Sequence, residues 1–161
     1  CFLAGMGYRE YMEQNYPAAV REGEIVDMAG DVVGRHSGVA FYTIGQKRGL
    51  DISLSGVCIV GIDAERNRLI VGPNQNLYHK TLEITECNIV DKEEFMISDD
   101  VSVVIRGIGR NPEGFMHRAE AIDGGYRIHL DDPAWAPAVG QPVVFYRQNR
   151  VIGGGILRRY Y

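Results

Sequence analysis

Two short stretches carry side chains suited to holding phosphate. Gly45-Gln46-Lys47-Arg48-Gly49 sets an amide and two adjacent cations between glycines. Ammonium, guanidinium and amide groups bond phosphate oxygens, and glycine lets a backbone approach closely. Arg106-Gly107-Ile108-Gly109-Arg110-Asn111-Pro112 repeats the combination of basic and amide side chains beside flexible backbone. A solvated loop is the plainer alternative for both. The cysteines Cys1, Cys58 and Cys87 are odd in number and lack a CxxC spacing. That disfavours a disulfide framework or a structural zinc site and suits a reducing compartment. Cys58 lies in Val57-Cys58-Ile59-Val60 and Cys87 follows Ile84-Thr85-Glu86, so both read as buried, inert thiols. Cys1 opens the sequence, so its upstream surroundings are not contained in it.

The histidines His36, His79, His117 and His129 show no HxH or HxxxH spacing, so no metal is expected. His36 reads as part of a hairpin turn and His79 as part of a linker, both at the surface. There is no GxSxG and no Walker loop, and no helix follows Gly153-Gly154-Gly155. Those three glycines read as strand residues where backbone must bend or approach closely. Asp131-Asp132 precedes Pro133 and reads as a strand-ending turn.

The elements that must position these residues are short. In 161 residues, 45% are hydrophobic, 24% charged and 20 are glycine, which excludes a disordered chain and favours many tight turns. No apolar run approaches the roughly 20 residues of a membrane span. The start has neither a signal-peptide pattern nor a methionine, and the sequence reads as a piece of a longer chain. Net charge is −4, which argues against a dedicated nucleic-acid module. The charge is unevenly spread: residues 1–104 carry 9 basic and 16 acidic side chains, residues 105–161 carry 8 and 5. After Asp132 no acid remains, while Arg147, Arg150, Arg158 and Arg159 do. A polyanion could use that half, with a solvated basic surface as the plainer reading.

Tyr8–Asn15 reads as a short helix stopped by Pro17. Gly23–Asp27 reads as a strand, and Val32–Arg35 and Val39–Thr43 as a hairpin around His36-Ser37-Gly38. Gly56–Asp63 and Arg68–Gly72 read as a second hairpin. Pro73-Asn74-Gln75-Asn76 is dense in turn formers and marks a boundary. Beyond it come six expected strands: Leu82–Val90, Val101–Gly107, Met116–Ile122, Tyr126–Leu130, Pro142–Tyr146 and Val151–Leu157. Their spacing suggests a small barrel.

These residues carry a resemblance. Cys1-Phe2-Leu3, Tyr8-Arg9-Glu10-Tyr11, Tyr16-Pro17, Gly23–Asp27, Val33–Gly38 and Phe41–Leu50 look like the segment after the ATP-binding domain of bacterial tRNA 2-thiouridylases. Asn67–Gly72, Pro137–Tyr146 with Gly140-Gln141, and Gly153–Ile156 continue the match in order along the chain. The resemblance implies a mainly β protein. Residues 1–76 would be a small mixed α/β central domain, with residue 1 the end of a preceding ATP-binding domain. Residues 77–161 would be a six-stranded antiparallel β-barrel resembling the second domain of elongation factors.

The resemblance also implies a function. The family adenylates the 2-oxygen of the wobble uridine with ATP, and a cysteine persulfide then displaces AMP. Cys1 matches the persulfide cysteine of the parent enzyme. ATP would be bound by the preceding domain, with no cofactor held by these residues, which alone would be inactive. The partners would be tRNA, held at its anticodon arm, and a sulfur-donor protein, in the cytoplasm and with no membrane. Gln46, Lys47, Arg48, Arg106, Arg110 and Gln141 would contact tRNA. The family carries a more basic pattern around Arg106–Arg110 than Gly107, Ile108 and Gly109 provide here. A free-standing β-barrel module of a translation-type protein is the alternative, and it leaves the motifs of residues 1–72 unexplained. A methyltransferase is set aside, because no strand–GxGxG–helix unit is present.

Overall fold

The computed structural model describes residues 5–107 and 110–161. The chain divides into two compact units, Cys1–Asn76 and Leu77–Tyr161.

The first unit begins with helix α1 (Tyr8–Asn15), followed by a 3-10 turn at Pro17–Ala19. Pro17 fits there because the first position of a helical turn has no use for its N–H. Strands β1 (Gly23–Val26), β2 (Val32–His36), β3 (Asp51–Ile52), β4 (Val57–Asp63) and β5 (Arg68–Pro73) form one sheet in the order β3-β2-β1-β5-β4. Only β1 and β5 pair in parallel. Ile25, Ile59, Leu69 and Val71 are buried, with Val33, Tyr42, Ile44 and Ile52 packed on them. The β4–β5 hairpin matches the expectation from sequence.

The expected hairpin at His36–Gly38 is not there. β2 pairs backward with β1, and Val39–Phe41 is a 3-10 turn rather than a strand. His36 redirects the chain from inside. It is 3% exposed, its Nδ1 accepts the Gly38 N–H at 3.0 Å, and its Nε2 lies 3.1 Å from the Asn67 carbonyl oxygen. Gly38 at φ 138° makes the bend. The surface role expected for His36 is therefore corrected to a buried one. Helix α1 settles on the new turn: the Tyr8 hydroxyl donates to the Ala40 carbonyl at 3.0 Å, and the Arg9 guanidinium lies 3.9 Å above the Phe41 ring centre.

The second unit is a barrel. β6 (Tyr78–Ile89), β7 (Val101–Val104), β8 (Met116–Ile122), β9 (Gly125–Trp135), β10 (Pro142–Arg147) and β11 (Arg150–Tyr160) form a sheet in the order β7-β10-β11-β6-β9-β8. Every neighbouring pair is antiparallel. A bridge between Ser102 of β7 and Phe115, the residue just before β8, brings the two edges of the sheet together. Closure of this kind leaves few unpaired backbone groups. Leu82, Ile84, Ile128, Val143, Phe145 and Ile152 are among the buried residues inside.

Three features depart from the sequence reading. Helix α2 (Lys92–Ile97) interrupts the run of strands. Asp91 caps it by accepting the Glu94 N–H at 2.9 Å, and fully buried Phe95 packs its ring on Phe145 and Tyr126. His79 lies in β6, against Tyr160 at 4.4 Å, rather than in a linker. Asp131 and Asp132 end no strand, because β9 continues to Trp135 through a register shift opposite His79–Thr81. Gly153–Gly155 does follow the expected close approach. A Cβ on Gly155 would stand 2.8 Å from the Thr85 carbonyl oxygen.

Candidate nucleic-acid interface

The expected contact residues all lie outside regular strands, and they divide between the units. Gln46, Lys47 and Arg48 belong to the loop between the Val39–Phe41 turn and β3. Backbone bonds tie this loop to β4: the Gly45 N–H donates to Ile59 O at 2.8 Å, and the Ile59 N–H to Gln46 O at 3.0 Å. The Gln46 side chain is turned inward. Its Oε1 accepts the Thr43 N–H at 3.2 Å, and its Nε2 donates to the Arg48 carbonyl at 2.9 Å. Gln46 thus shapes the loop, and the exposed Lys47 and Arg48 are what the loop presents. Neither cationic side chain has a hydrogen bond or ion pair among the described residues. Cys58 of β4 is buried; burial raises its thiol above the ordinary range, and the nearby charge of Lys47 opposes that rise.

In the second unit, Arg106 and Gln141 bond the segment that follows β9, and Arg110 bonds Tyr78 of β6. Ile105 and Arg106 donate their N–H groups to Asn111 Oδ1 at 2.8 and 3.0 Å, and Asn111 Nδ2 donates to the Arg106 carbonyl at 2.8 Å. Asn111 therefore pins both ends of the connection containing Arg106 and Arg110. Arg106 Nη2 donates to the Ala136 carbonyl, with the guanidinium carbon 5.3 Å from the Trp135 ring centre. Arg106 is half-buried and largely structural. Arg110 is exposed and donates to the Tyr78 hydroxyl at 2.8 Å. Tyr78 pairs with Trp135 across β6 and β9, so a cation and an aromatic ring meet at this end of the barrel. The shallow cleft there also includes Glu113 and Asp132, which temper its charge.

Gln141 closes the turn before β10. Its Oε1 accepts the Ala138 N–H at 3.0 Å, and its carbonyl accepts the Leu157 N–H at 2.8 Å. That bond sets Arg158 beside the Gln141 turn. Arg158 and Arg159 are exposed and without partners among the described residues. In the sequence these arginines are part of an acid-free tail, and the structure sorts that tail. Arg147 donates to Asp100 at 2.7 Å and to Glu94 at 3.0 Å, and Arg150 also bonds Glu94. These hydrogen bonds hold the Glu94 carboxyl below the ordinary carboxylate range. Arg147 and Arg150 are committed, while Arg158 and Arg159 remain open to a polyanion. The signal for separating them was the Asp91–Glu94 capping pattern, which places Glu94 on a helix facing β10 and β11. Cys1, the expected persulfide cysteine, and Ile108 and Gly109 lie outside the described residues.

Comparison with known proteins decides the family. A model described as tRNA methyl transferase PRC-barrel domain matches residues 9–73, and one described as Aminomethyltransferase beta-barrel domain matches residues 79–157. A tRNA-specific 2-thiouridylase of Natranaerobius thermophilus is 37% identical over 158 residues, covering 98% of this chain and 42% of that protein. Proteins of the same description from Halothermothrix orenii and Desulforudis audaxviator are 33% and 37% identical, each over 98% of this chain. The chain belongs to the tRNA-specific 2-thiouridylase family. It spans less than half the length of these relatives, 44% and 45% of the latter two. The two family models divide the chain in the same region as its two compact units. No helix among the described residues is long and apolar enough to cross a membrane.

Proposed function

We propose that this chain is the tRNA-holding part of an enzyme that 2-thiolates the wobble uridine. The observation that carries the reading is the family match along essentially the whole chain. Lys47 and Arg48 on a loop fastened to β4, and Arg110, Arg158 and Arg159 at or near the strand ends of the barrel, neutralise backbone phosphates of the anticodon arm. Arg106, Gln46 and Gln141 act one step back. Each fixes the loop that presents a cation, as their bonds to Ala136, Arg48 and Ala138 support.

In the parent enzyme, ATP binds to a preceding domain and adenylates the uridine 2-oxygen. Cys1 carries the persulfide whose terminal sulfur attacks C2 and expels AMP. A second cysteine thiolate, supplied by the preceding domain, then attacks the Cys1 sulfur of the resulting S–S bond, which releases 2-thiouridine and leaves a disulfide. A cellular thiol reduces that disulfide before a sulfur-donor protein reloads Cys1. A persulfide suits the attack on C2 because thiolate-type sulfur is strongly nucleophilic at neutral pH. This part of the enzyme contributes orientation, and the chain alone neither consumes ATP nor thiolates tRNA.

The test is a salt titration of tRNA binding, wild type against Lys47→Ala/Arg48→Ala. Each neutralised phosphate contributes roughly −0.9 to the log–log slope on a duplex. The double variant should bind more weakly, with a slope flatter by about 2 units. An unchanged slope would show that the loop is only solvated.

A further inference from the structure

The first unit holds a second cationic feature. A depression is lined by Arg21, Glu22, Glu24, Arg35, Arg66 and Arg68. Sheet register explains its chemistry. Glu24 of β1 is the partner of Arg35 on β2 and of Arg68 on β5, so the three lie in one row across three strands. Side chains so aligned share a face and interact. Glu24 gives its Oε2 to Arg68, at 2.9 Å from Nε and 2.8 Å from Nη2. Arg66 is likewise paired, with Asp63 at 3.1 Å. Arg21 and Arg35 are exposed and have no hydrogen bond from their side chains, and no ion pair, among the described residues.

The wall of the depression is firmly set. Asn67, at φ 53°, donates from Nδ2 to the carbonyls of Arg21 and Glu22 at 3.2 and 2.8 Å. A Cβ on Gly23 would stand 2.1 Å from the Asn67 carbonyl oxygen, so no side chain fits there. Two paired arginines and two unpaired ones thus surround a fixed hollow. Four guanidiniums face three carboxylates, Glu22, Glu24 and Asp63, in a unit where nine acids outnumber seven basic residues. This local excess of cations marks the depression out from the acidic composition of the unit around it.

We infer that this depression is a second RNA-phosphate contact, with Arg21 and Arg35 closing on a backbone phosphate of the tRNA. It acts separately from the Lys47–Arg48 loop and rests on the tRNA-binding reading above. Guanidinium suits the role, because its fork can bond two phosphate oxygens at once. Glu22, on the same rim, weakens the contact.

The experiment measures anisotropy of labelled, unfractionated tRNA with the whole chain between 50 and 200 mM salt. Arg21→Ala/Arg35→Ala should bind about tenfold more weakly at the low end, with a slope flatter by about 1 unit per phosphate lost. Arg21→Lys/Arg35→Lys should keep the slope, and Glu22→Gln should bind more tightly. An alanine pair that matches wild type, while Lys47→Ala/Arg48→Ala loses affinity, overturns this contact and leaves the tRNA reading standing. Equal loss in the alanine and lysine pairs, with a lowered melting temperature, also overturns it, since the arginines would then hold the fold. A wild-type chain that ignores tRNA removes both readings together.

Discussion

At the residue scale, the cations proposed to meet RNA differ from Arg106 in their exposure. Lys47, Arg48 and Arg110 stand exposed, while Arg106 is drawn onto Trp135 and Ala136. Replacing Arg110 with alanine should flatten the salt dependence of tRNA binding by about 1 unit while leaving the melting temperature within a degree or two. Arg106→Ala should lower the melting temperature as well, because the Trp135 contact and the Ala136 bond go with it. Equal thermal effects of the two changes would refute that division. Gln46 shows how far sequence reaches. A glutamine next to two cations reads as a ligand contact, yet its amide is spent on Thr43 and Arg48 inside the loop. Neighbours in sequence were visible, but the inward rotamer was not.

His36 was opaque for a related reason. The plain run around it looks like a turn, and only the distant Asn67 carbonyl explains why the ring is buried. Removing a buried side chain with two hydrogen-bond partners should cost about 2 kcal/mol, measured by urea unfolding of His36→Ala. An unchanged midpoint would mean that the bend at Gly38 is held by the glycine alone.

At the scale of elements, the strand and turn pattern was largely legible. Five of the six barrel strands start within a residue or two of the positions suggested by alternation and turn residues. The exceptions are local contests that tertiary structure wins. β9 runs on through Asp131-Asp132-Pro133 because a register shift absorbs the proline's missing N–H. The segment Lys92–Ile97 is helical because Asp91 caps it and Phe95 finds a place in the barrel core. Asp91→Ala should therefore cost about 1 kcal/mol of stability. The same helix supplies a pH dependence. The hydrogen bonds from Arg147 and Arg150 lower the Glu94 pKa in the folded state relative to its unfolded value. The folded protein thus gains stability from ionised Glu94 above the ordinary glutamate value of about 4.3 and loses it as pH falls below that. Thermal melts from pH 7 to pH 3 should fall more steeply for wild type than for Glu94→Gln. Parallel curves would show that the clamp contributes nothing.

At the scale of the whole molecule, a net charge of −4 argues against a dedicated nucleic-acid module, and the family match together with the placement of unpaired cations argues for one. The two views are compatible because average charge says little about where cations are left without partners. Eight basic residues follow Val104, yet Glu94, Asp100, Glu83 and Glu120 engage Arg147, Arg150, Arg127 and Arg118. What remains for a polyanion is a handful of arginines and the exposed lysines Lys47, Lys80 and Lys92. An RNA contact of this kind should be weak and strongly salt-dependent. Hydroxyl-radical footprinting of tRNA by this chain at low salt tests that account most directly. Protection of backbone positions confined to the anticodon arm, reduced in the Lys47→Ala/Arg48→Ala and Arg110→Ala variants, is the predicted result. An unprotected tRNA, or protection only at the acceptor end, would contradict it.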